Sequence, residues 1–103
     1  MIYMETKLVV QPGKMGKYQE VEKDMYALVT KAGMKVIGVW HTVIGDKNEV
    51  TLLVASEDMG QLQKSSMAMA QSKEYQSVWQ KVEPLLTSQT RKIMMPMPTS
   101  PVQ

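Results

Sequence analysis

The chain has no cysteine and no phenylalanine among its 103 residues, and only one histidine. Without cysteine there is neither a disulfide framework nor a thiolate zinc site, and a lone histidine makes a conventional metal cluster hard to assemble, so no metal or cofactor is expected. Long apolar runs are missing as well. Nothing approaches the roughly 18 consecutive apolar residues of a membrane span, and the opening MIYMETKLVV lacks a basic region followed by a long apolar stretch. The expectation is a soluble, cytoplasmic protein with no membrane span. Charge of one sign is also scarce: 12 basic and 10 acidic residues leave a net +2, scattered rather than gathered into the Lys/Arg stripe that a phosphate backbone needs. No nucleic acid is expected as partner. A chain of this length forms one small domain with much of its surface in water, or a core completed by a second chain.

What is present is a readable series of elements. Residues 2–10 are β-compatible and run into Gln11-Pro12-Gly13, which ends a first strand. Met15, Tyr18, Val21, Met25, Leu28, Val29 and Ala32 recur at intervals of three and four, one face of an amphipathic helix closed by Gly33. Lys35 to Ile44 and Glu49 to Ser56 read as two strands joined by Gly45-Asp46-Lys47-Asn48. Asp58 with Gln61 resembles a capping box for a helix carrying Met59, Leu62, Ser66 and Met69. After a break near Gln71-Ser72, a second helix carries Tyr75, Val78, Trp79, Val82 and Leu86, with Pro84 bending or ending it. Gln89 to Met95 reads as a last strand, and a proline-rich tail, residues 94–103, as extended chain.

The order β-α-β-β-α-α-β, with helices able to cover one face of an antiparallel sheet, predicts a ferredoxin-like α+β fold in a single domain. Pairing the hairpin symmetrically about its loop puts Trp40, Thr42, Ile44, Thr51, Leu53 and Ala55 on one face, and Ile37, Val39, His41, Val43, Val50, Leu52 and Val54 on the other. Both sets are largely apolar, unlike a sheet with one solvated side. An exposed apolar face of that size marks an interaction surface, and two sheets packed face to face would cover both, which predicts a homodimer.

The segment G-x-W-x-T-x-I-G-x-x-N-E-V (residues 38–50) resembles the NIPSNAP family. So do Ile2-Tyr3 with Val10-x-Pro12-Gly13-Lys14, Tyr75-x-x-x-Trp79 with Pro84-Leu85-Leu86 and Ser88-Gln89, and the closing Pro96-x-Pro98-x-Ser100-Pro101. The likeness runs collinearly through nearly the whole chain. It implies a dimeric α/β barrel, in which two ferredoxin-like sheets face each other and enclose a cavity in or near each subunit. The resemblance implies no particular reaction, since the wider fold serves cofactor-independent monooxygenases, small isomerases and haem enzymes. Members commonly carry an acidic residue and an arginine two apart on the first strand, and arginines in the first of the later helices. Here those places hold Met4-Glu5-Thr6-Lys7 and Lys64, Ser65 and Ser66, so an anion pocket built on those arginines does not carry over.

Two functions compete. One is a homodimer binding a small apolar molecule or a protein partner, with a cavity between sheet and helices lined by residues such as Val39, His41, Leu52 and Val54. The other is a cofactor-independent oxygenase or isomerase in which His41, turned toward the intersheet cavity, is the catalytic candidate as general base. Against the second, no acidic residue lies near His41 in sequence to orient it. Trp40 is expected to point toward the helices, and Trp79, Tyr18 and Tyr75 to sit on apolar stripes. Arg91, on a last strand beside the first, could grip a carboxylate with its planar fork, but a glutamate at the subunit interface is the preferred partner. The 11 methionines, in a chain without phenylalanine, read as flexible core filler. A copper(I) site at Met94, Met95 and Met97, or at Met67 and Met69, is disfavoured because successive strand residues diverge.

Overall fold

The computed structural model describes all of Met1–Gln103. Strand β1 (Ile2–Val10) leads through a turn at Gly13 into helix α1 (Met15–Lys31). Glycine is needed at Gly33, where φ is 104°. There the Gly33 N–H donates to the Thr30 carbonyl and the Met34 N–H to the Val29 carbonyl, the paired bonds of a Schellman motif. The accompanying apolar contact is present too, since Met34 and Val29 are buried in one core cluster. The helix therefore ends where its orphan carbonyls are satisfied, and the chain turns directly into strand β2 (Lys35–His41).

Strand β3 (Glu49–Ser56) follows, then helices α2 (Met59–Gln71) and α3 (Lys73–Val82), a single 3₁₀ turn at Glu83–Leu85 holding Pro84, and strand β4 (Leu86–Met94). Asp58 caps α2, its carboxylate accepting from the Gln61 N–H at 2.8 Å. Only half of the expected capping box forms: the Gln61 side chain donates to the Ser65 hydroxyl and accepts no bond from the Asp58 N–H. Ser72 ends α2 and starts α3, its hydroxyl accepting from the Tyr75 N–H. No helix is long and apolar enough to cross a membrane.

All neighbouring strands are antiparallel in the order β2-β3-β1-β4, the ferredoxin-like α+β arrangement. The register decides which side chains meet the helices. Ile2, Met4, Thr6, Leu8 and Val10 of β1 lie in phase with Val54, Leu52 and Val50 of β3, and this face packs on α1 and α2 through Met25, Val29 and Leu62. A second cluster adds Tyr18 of α1 and Val82 of α3 over Leu8 and Val10. At roughly 1.5–3 kcal/mol per buried aliphatic side chain, these two clusters are the main cohesive term of the fold.

Three expectations for the hairpin are corrected. Strand β2 stops at His41 rather than Ile44, because the Asp46 side chain accepts from the Asn48 N–H at 2.9 Å and its carbonyl from the Glu49 N–H at 3.1 Å. Those bonds tighten the turn and leave Val43 and Ile44 exposed in a loop of residues 42–48. The register is displaced accordingly: His41 pairs with Val50 and Trp40 with Thr51, while an irregularity between Val36 and Gly38 removes Ile37 from the face assigned to it. The faces are also exchanged relative to the expectation. Val39, His41, Val50, Leu52 and Val54 belong to the helix-covered side, and Trp40 to the helix-free side, because β1 and β3 place their unbroken apolar alternation under the helices.

The helix-free face is divided in character. Its β2–β3 half is apolar, with Trp40 53% exposed, its ring lying over Gly38, and Leu53 beside it. On its β1–β4 half Glu5 pairs with Lys7 and Lys92 at 3.8 Å, and Lys7 reaches Glu49 at the start of β3 at 4.0 Å. Exposed pairs of this kind are each worth about 0–1 kcal/mol. Beyond β4 the tail is not fully extended, since the Met97 carbonyl accepts from the Ser100 N–H in a turn.

Candidate functional site

Between the helices and the β1–β4 side of the sheet lies a cavity of about 530 Å³, within the range of small-molecule sites. It exists because β4 forms the sheet edge while α1, α2 and α3 cluster over the other strands, so the helix-side residues of β4 are not roofed. Its floor is Met4, Thr6 and Leu8 of β1 with Leu52 and Val54 of β3. Met25 and Val29 of α1 and Met69 and Ala70 of α2 wall one side, Tyr75 and Trp79 of α3 another. The Tyr75 and Trp79 rings are parallel within 5° at 6.4 Å between centroids, because a spacing of four residues stacks them along one helix face.

The polar groups reaching this space are few. They belong to Thr6, Ser66, Tyr75, Gln89 and Arg91. Gln89 and Arg91 are two apart on β4 and opposite Leu8 and Thr6, which puts both on the helix side. With the Gln89 amide oriented so that its oxygen meets the guanidinium, that oxygen accepts from Arg91 Nε at 3.0 Å and Nη2 at 2.7 Å. Arg91 therefore lies away from the helix-free face on which an interface glutamate was expected.

The four residues expected to line a site divide in two. Leu52 and Val54 border the cavity; Val39 and His41 do not. Val39 packs against the core clusters, and His41 is exposed at the far end of β2, with two strands between it and β4. Among the cavity residues that sequence did not place at a site are Thr6, Met69 and Gln89, while Arg91, read there as able to grip a carboxylate but more readily as an interface residue, lines the cavity too. A signal for them existed: Met4, Thr6 and Leu8 alternate in β1, and Gln89 and Arg91 alternate in β4. Without the pairing of β1 with β4, nothing joined the two patterns.

A second polar cluster is separate. The Tyr18 and Tyr26 hydroxyls of α1 lie 3.1 Å apart, and burial pushes the Tyr18 phenol up to about 12. Burial, and next the Tyr18 hydroxyl, push Tyr26 up as well, and burial raises the Glu22 carboxyl. None of the three borders the cavity.

The NIPSNAP profile matches residues 3–101. The chain belongs to the NIPSNAP family. Its fold is shared with a NIPSNAP family protein of Agrobacterium tumefaciens, at 21% identity and TM-score 0.90 over 99% of this chain and 98% of that one. It also resembles an uncharacterized NIPSNAP-like domain protein of Burkholderia xenovorans, at 25% identity and TM-score 0.87 over 97% and 88%. A proposed antibiotic biosynthesis monooxygenase of Nitrosomonas europaea is similar in fold at 10% identity and TM-score 0.74, over 94% and 99%. No curated protein matches this NIPSNAP chain.

Proposed function

We propose that this NIPSNAP protein is a homodimer that binds a small, largely apolar molecule in the cavity between sheet and helices. The observation that carries the reading is the cavity itself: about 530 Å³, mostly apolar, open beside β4 and filled by no side chain. Dimerisation through the helix-free faces is supported by the exposed Trp40 and its neighbour Leu53, whose burial against a second sheet removes an apolar patch from water. Leu53→Arg, present in both copies, sets two like charges against each other across that contact. Molar mass in solution should therefore fall from dimer to monomer in Leu53→Arg; a monomeric wild type at micromolar concentration removes the dimer. Calorimetric titration with naphthamide, a neutral apolar probe, should show binding that Ala70→Phe abolishes by filling the space.

A second reading, an oxygenase or isomerase working in the same space, has in its favour the likeness to the Nitrosomonas europaea protein, which speaks for fold alone. The cavity's hydroxyls, amide and guanidinium include no general base for neutral pH, and His41 lies outside it, which favours binding over catalysis.

A further inference from the structure

The cavity has one charged group, and that group lacks a counter-charge. Arg91 is the only arginine in the chain. The ion pairs of the protein engage Lys7, Lys31 and Lys92 with Glu5, Glu49 and Glu74, and none includes Arg91. Its guanidinium is held instead by the neutral amide oxygen of Gln89, at 3.0 and 2.7 Å. That contact orients the planar fork without neutralising it and leaves N–H donors unused. Directly across the ladder stands Thr6, only 5% exposed, on the floor of the same cavity. Its hydroxyl enters no hydrogen bond within the chain. A hydroxyl without a partner in the chain and a fixed cation without an anion thus face one apolar space.

We propose that the ligand is an organic monocarboxylate with a compact apolar body. Its carboxylate meets the Arg91 guanidinium and the Thr6 hydroxyl, and its body lies among Met69, Tyr75 and Trp79. The proposal rests on the cavity being a small-molecule site and adds the chemical class. Charge complementarity selects a single carboxylate: no lysine borders the cavity, so one planar cation is available, and its geometry suits two parallel bonds to a carboxylate. A phosphate monoester, with near-double charge, would leave half of that charge without a partner.

The test is calorimetric titration of the full chain with naphthoate and with its neutral isostere naphthamide. The wild type should bind naphthoate about tenfold more tightly, the worth of one charge-assisted contact at a solvent-accessible rim. Arg91→Gln should remove that preference while keeping the naphthamide affinity, and Arg91→Lys should restore part of it. Equal binding of both probes by the wild type, or a preference that survives Arg91→Gln, overturns the carboxylate assignment and leaves the cavity reading standing. Failure of both probes to bind overturns both. An intact circular dichroism spectrum for the exposed Arg91 variants shows that a lost preference is not lost folding.

Discussion

Raising the pH tests how tightly α1 is seated on the sheet. Tyr18 is fully buried between Leu8, Val10 and Val50, and its phenol is pushed from the ordinary 10.0 to about 12. The unfolded chain therefore releases this proton first. Above about pH 10 the native state holds more protons than the unfolded state, so stability falls as pH rises, until native Tyr18 itself ionises near 12. Two units correspond to about 2.7 kcal/mol in full, and about 1.4 kcal/mol is lost by pH 11. Tyr26, raised by burial and by its bond to Tyr18, adds to the loss in the same direction. Tyr18→Phe should cost about 1 kcal/mol near neutrality, where it breaks the 3.1 Å hydroxyl pair, and should flatten the alkaline decline. Urea unfolding followed by circular dichroism at about pH 9 and pH 11 measures both proteins, and the lysines cancel in the comparison. A wild type equally stable at the two values, or a variant that declines as steeply, would refute the burial argument.

Two local predictions follow from geometry. Asp58→Ala should destabilise the protein by about 1 kcal/mol in urea titration, because the 2.8 Å bond to the Gln61 N–H is lost, while Asp58→Asn should retain most of it. Gly38→Val should dislodge the Trp40 ring, whose Cη2 would lie 2.5 Å from the new Cβ, at a cost of about 1 kcal/mol. Tryptophan fluorescence in a Trp79→Phe background should shift toward that of a solvated ring; an unchanged spectrum would mean that Trp40 does not lie over Gly38.

The local elements were legible because their causes are local. The three-and-four spacing of Met15 to Ala32, the reversal at Gly33, the Asp58 cap and the Ser72 break each depend on contacts within one turn of helix. Even the opposition of Trp40 and His41 across the sheet follows from strand alternation alone. The choice between the two faces does not. The β2–β3 hairpin is apolar on both sides, and only its pairing with β1, where Ile2, Leu8 and Val10 alternate with Glu5 and Lys7, decides which side the helices cover.

His41 and Arg91 show the same division. Nothing within a few residues of His41 discloses that β2 becomes a sheet edge far from the cavity, and nothing near Arg91 discloses that Thr6 stands across from it. Sequence by itself determined which helices and strands form, their order and the family, since these rest on short-range periodicity and collinear motifs, though not that β2 stops at His41 or that Leu86, read as helical, opens β4. Tertiary structure alone decided where the cavity lies and which side chains share it, because that depends on a ladder between residues 3–10 and 86–94, the two ends of the chain.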